Sequence, residues 1–189
     1  MRSTSRTRYG LSALVATLLL SGAALMGARD AHAVEMIPSV GITKAAHATN
    51  GKARISGGLA FRGNLIPILS TEIGVSYRSE ERLGGNLDVR QWPVTASLWL
   101  QPVPQVYAGG GVGWYHTTFD YVTALGIPNE TRQEFGMHVG GGVRVPLSPA
   151  AALDLSGRYV FMDSQQSVLP PTTWDPDFWT TSLGLAFRF

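Results

Sequence analysis

Along most of the chain, apolar side chains alternate with small, polar or charged ones at a period of two. Successive side chains of a strand point to opposite faces, so each such run reads as a strand with one greasy face. In the last run, Phe178 to Phe189, Leu183, Leu185, Phe187 and Phe189 share one parity, and Ser182, Gly184, Ala186 and Arg188 the other. Arg54 to Gly63 sets Ile55, Leu59 and Phe61 against Ser56, Gly58, Ala60 and Arg62. Leu69 to Ser79 sets Ile73, Val75 and Tyr77 against Glu72, Gly74, Ser76 and Arg78. A run ending at Leu100 opposes Trp92, Val94, Leu98 and Leu100 to Pro93, Thr95, Ser97 and Trp99; Pro93 removes a ladder donor and belongs at a bulge or rim. Val106 to Phe119 is glycine-laden. Gln133 to Val145 opposes Phe135, Met137, Val139, Val143 and Val145 to Glu134, Gly136, His138, Gly140, Gly142 and Arg144. The seventh run carries Leu153, Leu155, Tyr159 and Phe161 against Asp154, Ser156 and Arg158. Pro38 to Ala48 is the weakest, because Lys44 shares the face of Val40 and Ile42, which calls for snorkelling or a register change.

The breaks alternate in length. Turns at 64–68, 101–104 and 146–149 are tight and proline-bearing, while loops at 80–86, 120–132 and 163–177 are longer and polar. The 48–51 connection, with its Asn50-Gly51 turn signal, is shorter than this alternation asks for. Eight strands with short turns at one end and long loops at the other predict an all-β fold, an eight-stranded antiparallel up-and-down barrel.

Before the strands, Arg2, Arg6 and Arg8 precede a mostly apolar run from Leu11 to Met26, followed by Ala31-His32-Ala33. This is the layout of a cleaved signal peptide over 1–33, leaving one barrel domain over 34–189. An uncleaved membrane helix fits less well, since Ser12, Thr17, Ser21 and Gly22 interrupt the run. Removal changes the charge. The full chain has 15 Lys/Arg and 13 Asp/Glu, a net of +2; without Arg2, Arg6, Arg8, Arg29 and Asp30 it has 11 and 12, a net of −1. Basicity therefore belongs to targeting and gives no support to nucleic-acid binding. With 0 Cys, disulfides, thiolate metal sites and thiol nucleophiles are excluded. No second apolar run is long enough for a helical span, so any span is made of strands.

Parity alone does not say whether the greasy faces line the cavity of a soluble exported barrel or face lipid. Three features favour lipid. The opposite faces are crowded with Gly, Ser and Ala, which suits a narrow lumen. Tyr77, Trp92, Trp114, Phe135, Phe161, Trp179, Phe187 and Phe189 recur near strand ends, as interfacial girdles require. The export signal completes the set. The polar faces then form a lumen charge network of Arg62, Glu72, Arg78, Glu134, His138, Arg144, Asp154, Arg158 and Arg188. Its Arg and acid members are expected to pair and plug the bore, since an unpaired buried charge is expensive.

Trp92-Pro-Val-Thr-Ala-Ser-Leu-Trp-Leu100, Val106-Tyr-Ala-Gly-Gly-Gly-Val-Gly-Trp-Tyr115 and Leu183-Gly-Leu-Ala-Phe-Arg-Phe189 carry a resemblance over essentially the whole mature chain. It resembles the small OmpA/OmpX-like outer-membrane β-barrel domain family. The resemblance implies a transmembrane barrel in the cell outer membrane, in contact with outer-membrane lipid and lipopolysaccharide, and a monomer. It also implies that Leu183, Leu185, Phe187 and Phe189 serve as the signal read by the barrel-assembly machinery. Family members include anchors, adhesion or defence proteins and narrow channels. The expected function is non-enzymatic, with extracellular loops for surface interaction or envelope integrity; the alternatives are a narrow pore for small solutes and a lipid A-modifying enzyme.

Catalytic and cofactor chemistry finds little footing. Gly109-Gly-Gly-Val-Gly113 lacks the helix and the Lys-Ser/Thr of a phosphate loop, and with Gly140-Gly-Gly142 reads as small residues that let a lumen close. His47-Ala-Thr-Asn50 is the nearest approach to the His-x-Ser-Asn stretch of a lipid A deacylase, with Thr for Ser and early placement. His116 is expected at the rim and His138 in the lumen. No two His have metal-ligand spacing, and Asp163, Asp175 and Asp177 lack a calcium-loop pattern. No cofactor is expected. N-terminal sequencing of membrane-extracted protein should begin at Val34; a sequence beginning at Met1 overturns the signal assignment.

Overall fold

The computed structural model describes residues 34–46, 53–82, 87–121, 130–163, 165–166, 173–174 and 176–189. Eight long strands form one closed antiparallel barrel: β1 (Val34–Ala45), β2 (Arg54–Ile66), β3 (Leu69–Arg82), β4 (Leu87–Val103), β5 (Val106–Tyr121), β6 (Glu130–Ser148), β7 (Ala151–Met162) and β10 (Phe178–Arg188). Two short strands, β8 (Gln165–Gln166) and β9 (Thr173–Trp174), pair with each other in the connection from β7 to β10, where the sequence showed only a polar loop. Neighbours in the barrel are neighbours in sequence, apart from the seam where β1 meets β10.

The strands overrun several sequence-based limits. β1 starts at Val34 rather than Pro38 and ends at Ala45, so the connection to β2 spans 46–53, and the Asn50-Gly51 turn signal lies outside the described residues. That restores the expected alternation: long connections at one end, and two-residue turns at Pro67–Ile68, Pro104–Gln105 and Pro149–Ala150 at the other. Pro38 and Pro93 lie inside strands. Around Pro38 the β1–β10 pairing skips from Met36↔Phe187 to Ser39↔Gly184, and around Pro93 the β3–β4 pairing skips from Val75↔Val94 to Arg78↔Gln91. In each case the register is unchanged across the gap. Of the two places expected for Pro93, a bulge or a rim, there is no bulge, and it adjoins Trp92 in the aromatic cluster towards the loop end; the bulges instead adjoin the three turns, at Asn64/Ile66, Leu100/Val103 and Pro146/Ser148.

Register fixes the barrel's shape. Following paired residues once around gives Glu35, Arg62, Glu72, Ser97, Gly111, His138, Val160, Phe178 and then Ala45. The circuit returns to β1 ten residues above its start. A stagger of about 33 Å against about 38 Å of strand spacing tilts the strands by about 40°, inside the range that closed barrels adopt.

The alternation sorts as a membrane barrel requires. Val40, Ile55, Trp92, Leu98, Trp114, Met137 and Leu183 are exposed on the outer face, while Arg62, Glu72, Arg78, Trp99, Tyr107, His138 and Asp154 are buried inside. Outward aromatics cluster towards the loop end, where Tyr77 meets Trp92 at a tilt with ring centres 4.7 Å apart, Trp114 meets Phe135 edge-to-face at 5.7 Å and Tyr159 meets Phe161 at a tilt at 4.7 Å. Lys44 stays on the outer face without a register change, paired with Trp179 one residue from the loop end of β1. That is the height at which a Lys can snorkel to water.

Leu183 lies mid-strand, between Val40 and Leu155. Leu183→Arg should cost about 2–4 kcal/mol in urea titrations of barrels folded into bilayers, and Phe187→Arg, nearer the turn end, about 0–1. Equal costs would overturn the depth assignment.

Candidate functional site: the charged lumen

Strand parity sends the polar positions of all eight strands into a bore that side chains nearly fill. At its centre the Arg62 guanidinium, 2 % exposed, donates from Nε (2.9 Å) and Nη2 (2.6 Å) to Glu72 Oε2, and from Nη1 to Asp154 Oδ2 at 3.1 Å. Arg158 Nη2 donates to the other Glu72 oxygen at 2.5 Å. Asp154 also accepts a hydrogen bond from Tyr107 Oη at 2.6 Å, and Arg144 Nη2 stands 3.6 Å from it. Arg144 Nη1 reaches Glu35 at 2.8 Å, and Glu35 in turn receives Arg188 Nη2 at 2.9 Å. The result is one alternating series across the bore, Arg158–Glu72–Arg62–Asp154–Arg144–Glu35–Arg188. Aromatic faces support it: Arg62 lies 4.3 Å from the Tyr107 ring centre and Arg158 5.1 Å from that of Trp99.

Towards the loops a second layer follows. Tyr115, Val160 and Phe178 pack together with Met162, and the Arg78 guanidinium lies 3.6 Å over the Phe178 ring. Arg78 Nε donates to Gln91 Oε1 at 2.6 Å, and Gln91 Nε2 to Thr117 Oγ1 at 2.8 Å. Between the two layers a chamber of about 100 Å³ is lined by Ser and Thr hydroxyls, Arg158 and His138. His138 Nε2 meets Ser97 Oγ at 2.9 Å, while its buried Nδ1 has no protein partner. Below the charged layer, a vestibule of about 540 Å³ opens among the tight turns, with Glu35, Arg144 and Arg188 in its walls.

The glycines make this filling possible. A Cβ on Gly142 would strike the Tyr107 phenol, and one on Gly113 or Gly136 would sit 3.0 or 2.9 Å from the Tyr115 ring. Tyr107 and Tyr115 thus occupy the space that neighbouring glycines vacate. The Gly109–Gly113 and Gly140–Gly142 runs lie within β5 and β6, so no helix follows either run to cradle a phosphate.

Of the nine residues expected in the network, Arg62, Glu72, Arg144, Asp154, Arg158 and Arg188 are brought together, with Arg78 and His138 in the adjoining layer. Glu134 is not a member of the series. It lies four residues from the loop end of β6 and its electrostatic neighbours are Arg132 and Asp163, so its parity was read correctly but its height was not. Glu35 was missed because β1 was begun at Pro38. Tyr107, which shares the parity of Gly109, Gly111 and Gly113, was not among the residues expected in the network. A sequence signal for two of the pairs exists in hindsight. Arg62 and Glu72 each stand five residues from Pro67, Arg144 and Asp154 each five from Pro149, and the hairpins place each pair directly across from one another. Trp99 and Gly109 hold the equivalent places around Pro104.

The other candidates are dispersed. His116 is exposed on the outer face, 3.5 Å from Gln133. His47 to Asn50 lies outside the described residues. Asp177 accepts hydrogen bonds from Met162 N at 2.9 Å and Tyr159 Oη at 3.2 Å, which ties the start of β10 to β7. Among the described residues no group of three or more His, Asp or Glu is placed to hold a metal. Leu183, Phe187 and Phe189 are exposed on the outer face of β10, and Leu185 is half-buried there.

A closed, staggered barrel with an apolar exterior and an ion-paired interior defines a transmembrane β-barrel protein of the outer membrane. The outer membrane protein beta-barrel domain family matches residues 12–189, and the chain belongs to that family. No curated protein matches the chain in sequence. Among solved structures, the chain is similar to the Neisserial surface protein A, NspA (TM-score 0.66, 17% identity, 82% of this chain and 97% of that one). It is similar also to OprG of Pseudomonas aeruginosa (0.58, 18%, 84% and 96%). A third is Ail, the attachment invasion locus protein of Yersinia pestis, solved in complex with the heparin analogue sucrose octasulfate (0.51, 19%, 83% and 97%). These likenesses concern the fold.

Removing Glu72 strands two arginines at once. Glu72→Ala should destabilise the bilayer-folded protein by about 3–5 kcal/mol, the cost of breaking a buried ion pair. Glu134→Ala, at a partly exposed site, should cost about 0–1 kcal/mol. Urea unfolding of both variants checks the contrast, and a reversed order would remove Glu72 from its central place.

Proposed function

We propose that the protein is a non-enzymatic outer-membrane barrel whose plugged lumen serves as a scaffold and whose loops act at the cell surface or in envelope integrity. The observation that carries this reading is the double closure of the bore, by the arginine–carboxylate series and by the Tyr115–Val160–Phe178 layer above it. The chamber between them has room for a handful of waters, not for a substrate. The chemistry of a deacylase also finds no support: the Ser97–His138 contact has no acid on Nδ1 and faces the bore rather than lipid.

The sulfated-sugar ligand in the Ail structure is not carried over to this chain. Its longest loop, 163–177, holds three Asp and no Lys or Arg, which disfavours a polyanion. The loops' partner is therefore sought among neutral or basic surfaces. Contact with lipopolysaccharide, a monomeric state and recognition of the closing strand by the assembly machinery remain parts of the same proposal.

In planar bilayers the refolded protein should show no steady conductance, whereas Arg62→Ala and Glu72→Ala combined with Phe178→Ala, which thin both layers, should admit ions. Steady current through the unaltered protein would favour the narrow-pore reading. A mobility shift of lipid A on expression would favour the enzymatic one.

A further inference from the structure

The two ends of the barrel differ in a way the lumen does not explain. At the loop end the outer face turns polar directly beyond the aromatic girdle: Arg90 follows Trp92, His116 follows Trp114, and Gln133 follows Phe135 on the outward parity of β4, β5 and β6. At the turn end the polar residues are few and uncharged, the exposed ones being Asn64, Gln105 and Ser148. Leu65, Ile66 and Ile68 around the first turn, Val103 at the second and Leu147 at the third are all about half exposed or more, Leu147 at 60%. The three turn segments, 64–69, 101–105 and 146–150, contain no Asp, Glu, Lys or Arg. Water-facing turns ordinarily carry such residues, because exposed aliphatic clusters favour association.

Length decides where these tips lie. On β6 the outward positions run from Phe135 to Leu147; at about 3.3 Å per residue and about 40° of tilt they cover about 30 Å of bilayer normal. The apolar band of a barrel of this kind is about 25 Å tall. With Phe135 in the girdle at one interface, Leu147 falls about 5 Å past the hydrocarbon at the other, within the lipid headgroup layer. The same band continues without a break into Ile68 and Val103, so the apolar tips extend an interface already made with lipid.

We infer that the three proline turns are a membrane-embedded surface, seated among the headgroups and upper acyl chains of the phospholipid leaflet on the turn side rather than projecting into water. The occupant of this surface is phospholipid. The consequence is positional: the barrel is held by aromatics at the loop end and, at the other, by aliphatic turn tips beside Phe187 and Phe189 of β10, and the vestibule among the turns opens at headgroup level. This does not depend on whether the lumen conducts.

The absence of cysteine makes the test clean, because a single introduced thiol labels one place. Ile68→Cys and Leu147→Cys, with Gln133→Cys as the loop-end polar site and Leu98→Cys as the mid-band site, are labelled with an environment-sensitive fluorophore. Each is reconstituted into phosphatidylcholine vesicles containing lipids brominated at a shallow or a deep acyl position, at several protein-to-lipid ratios. Labels at 68 and 147 should emit at shorter wavelength than the label at 133, be quenched by shallow more than deep bromines, and resist aqueous iodide several-fold better than 133. Protection at 68 and 147 should not change as protein is diluted into lipid. Iodide quenching equal to that at position 133 would place the turns in water and overturn the inference. Protection that disappears on dilution would assign the surface to a second copy and overturn it too. Should either substitution impair folding, the other still reads the same surface.

Discussion

Inside a bilayer an unpaired backbone amide has no water to turn to, and each such group costs several kcal/mol. Everything else in this barrel answers to that constraint. It forces the sheet to close, and closure forces β1 to find β10, across a sequence separation that no turn can assist. The seam is held by nine paired positions between Glu35 and Ala45, by Phe189 N to Val34 O at 3.0 Å, and by the Glu35–Arg188 ion pair on the inner face. The two strand prolines that lie away from the turns are tolerated because each interrupts one ladder only: Pro38 is paired with Leu59 on its other side, and Pro93 with Tyr115.

Closure at eight strands with a ten-residue stagger leaves a bore too narrow to be wet throughout, and the inner face must fill it. Lipid has claimed the aliphatic residues for the outer face, so the filling is built from what remains: arginines, carboxylates, a few aromatics and many glycines. Arginine suits this work because its fork satisfies two acids at once, as Arg62 does with Glu72 and Asp154, while its flat face lies on an aromatic ring. The ions are thus a packing solution as much as an electrostatic one. A buried ion pair is weak evidence of added stability, because its attraction is spent on desolvation. Its removal in halves is what the fold does not tolerate.

Much of this was legible in the sequence, and the limits of legibility are physical. The two-residue period identifies strands and sorts faces because the pleat has no other period, and proline-bearing turns mark the hairpins. Parity, however, carries no height. Glu134 and Glu72 share an inward parity, yet one stands beside Arg132 and Asp163 near the loops and the other at the centre of the septum. Height follows from register, and register from the turns: the pairs five residues either side of Pro67 and Pro149 could have been found from a hairpin centre alone. Pairs that cross the bore, such as Arg158 with Glu72 or Arg62 with Asp154, join strands that are not neighbours. They depend on the stagger, which no single hairpin reveals. Glu35 was lost for a plainer reason. A strand that starts directly after the cleavage motif has too little alternation before Pro38 to declare itself.

The same argument explains why the interior does not specify a ligand. A network in which Arg62 is shared by Glu72 and Asp154, and Glu72 by Arg62 and Arg158, has little freedom to release a member to a passing solute, and the glycines around Tyr107 and Tyr115 fit those rings too closely to yield. Specificity is therefore displaced to the barrel's ends, where strand pairing stops constraining side chains. The two ends meet that freedom differently. The loop end changes to polar and charged residues directly above its aromatic ring, whereas the three turn segments keep exposed aliphatic side chains and carry no charged residue. Sliding the barrel towards the turn side exposes Ile68, Val103 and Leu147 to water and at the same time buries Arg90 and Gln133 at the loop end. Sliding it the other way lifts Trp92, Trp114 and Phe135 out of the interface that aromatic side chains prefer. Both displacements cost free energy, so the two ends together fix the height from which the loops reach outward.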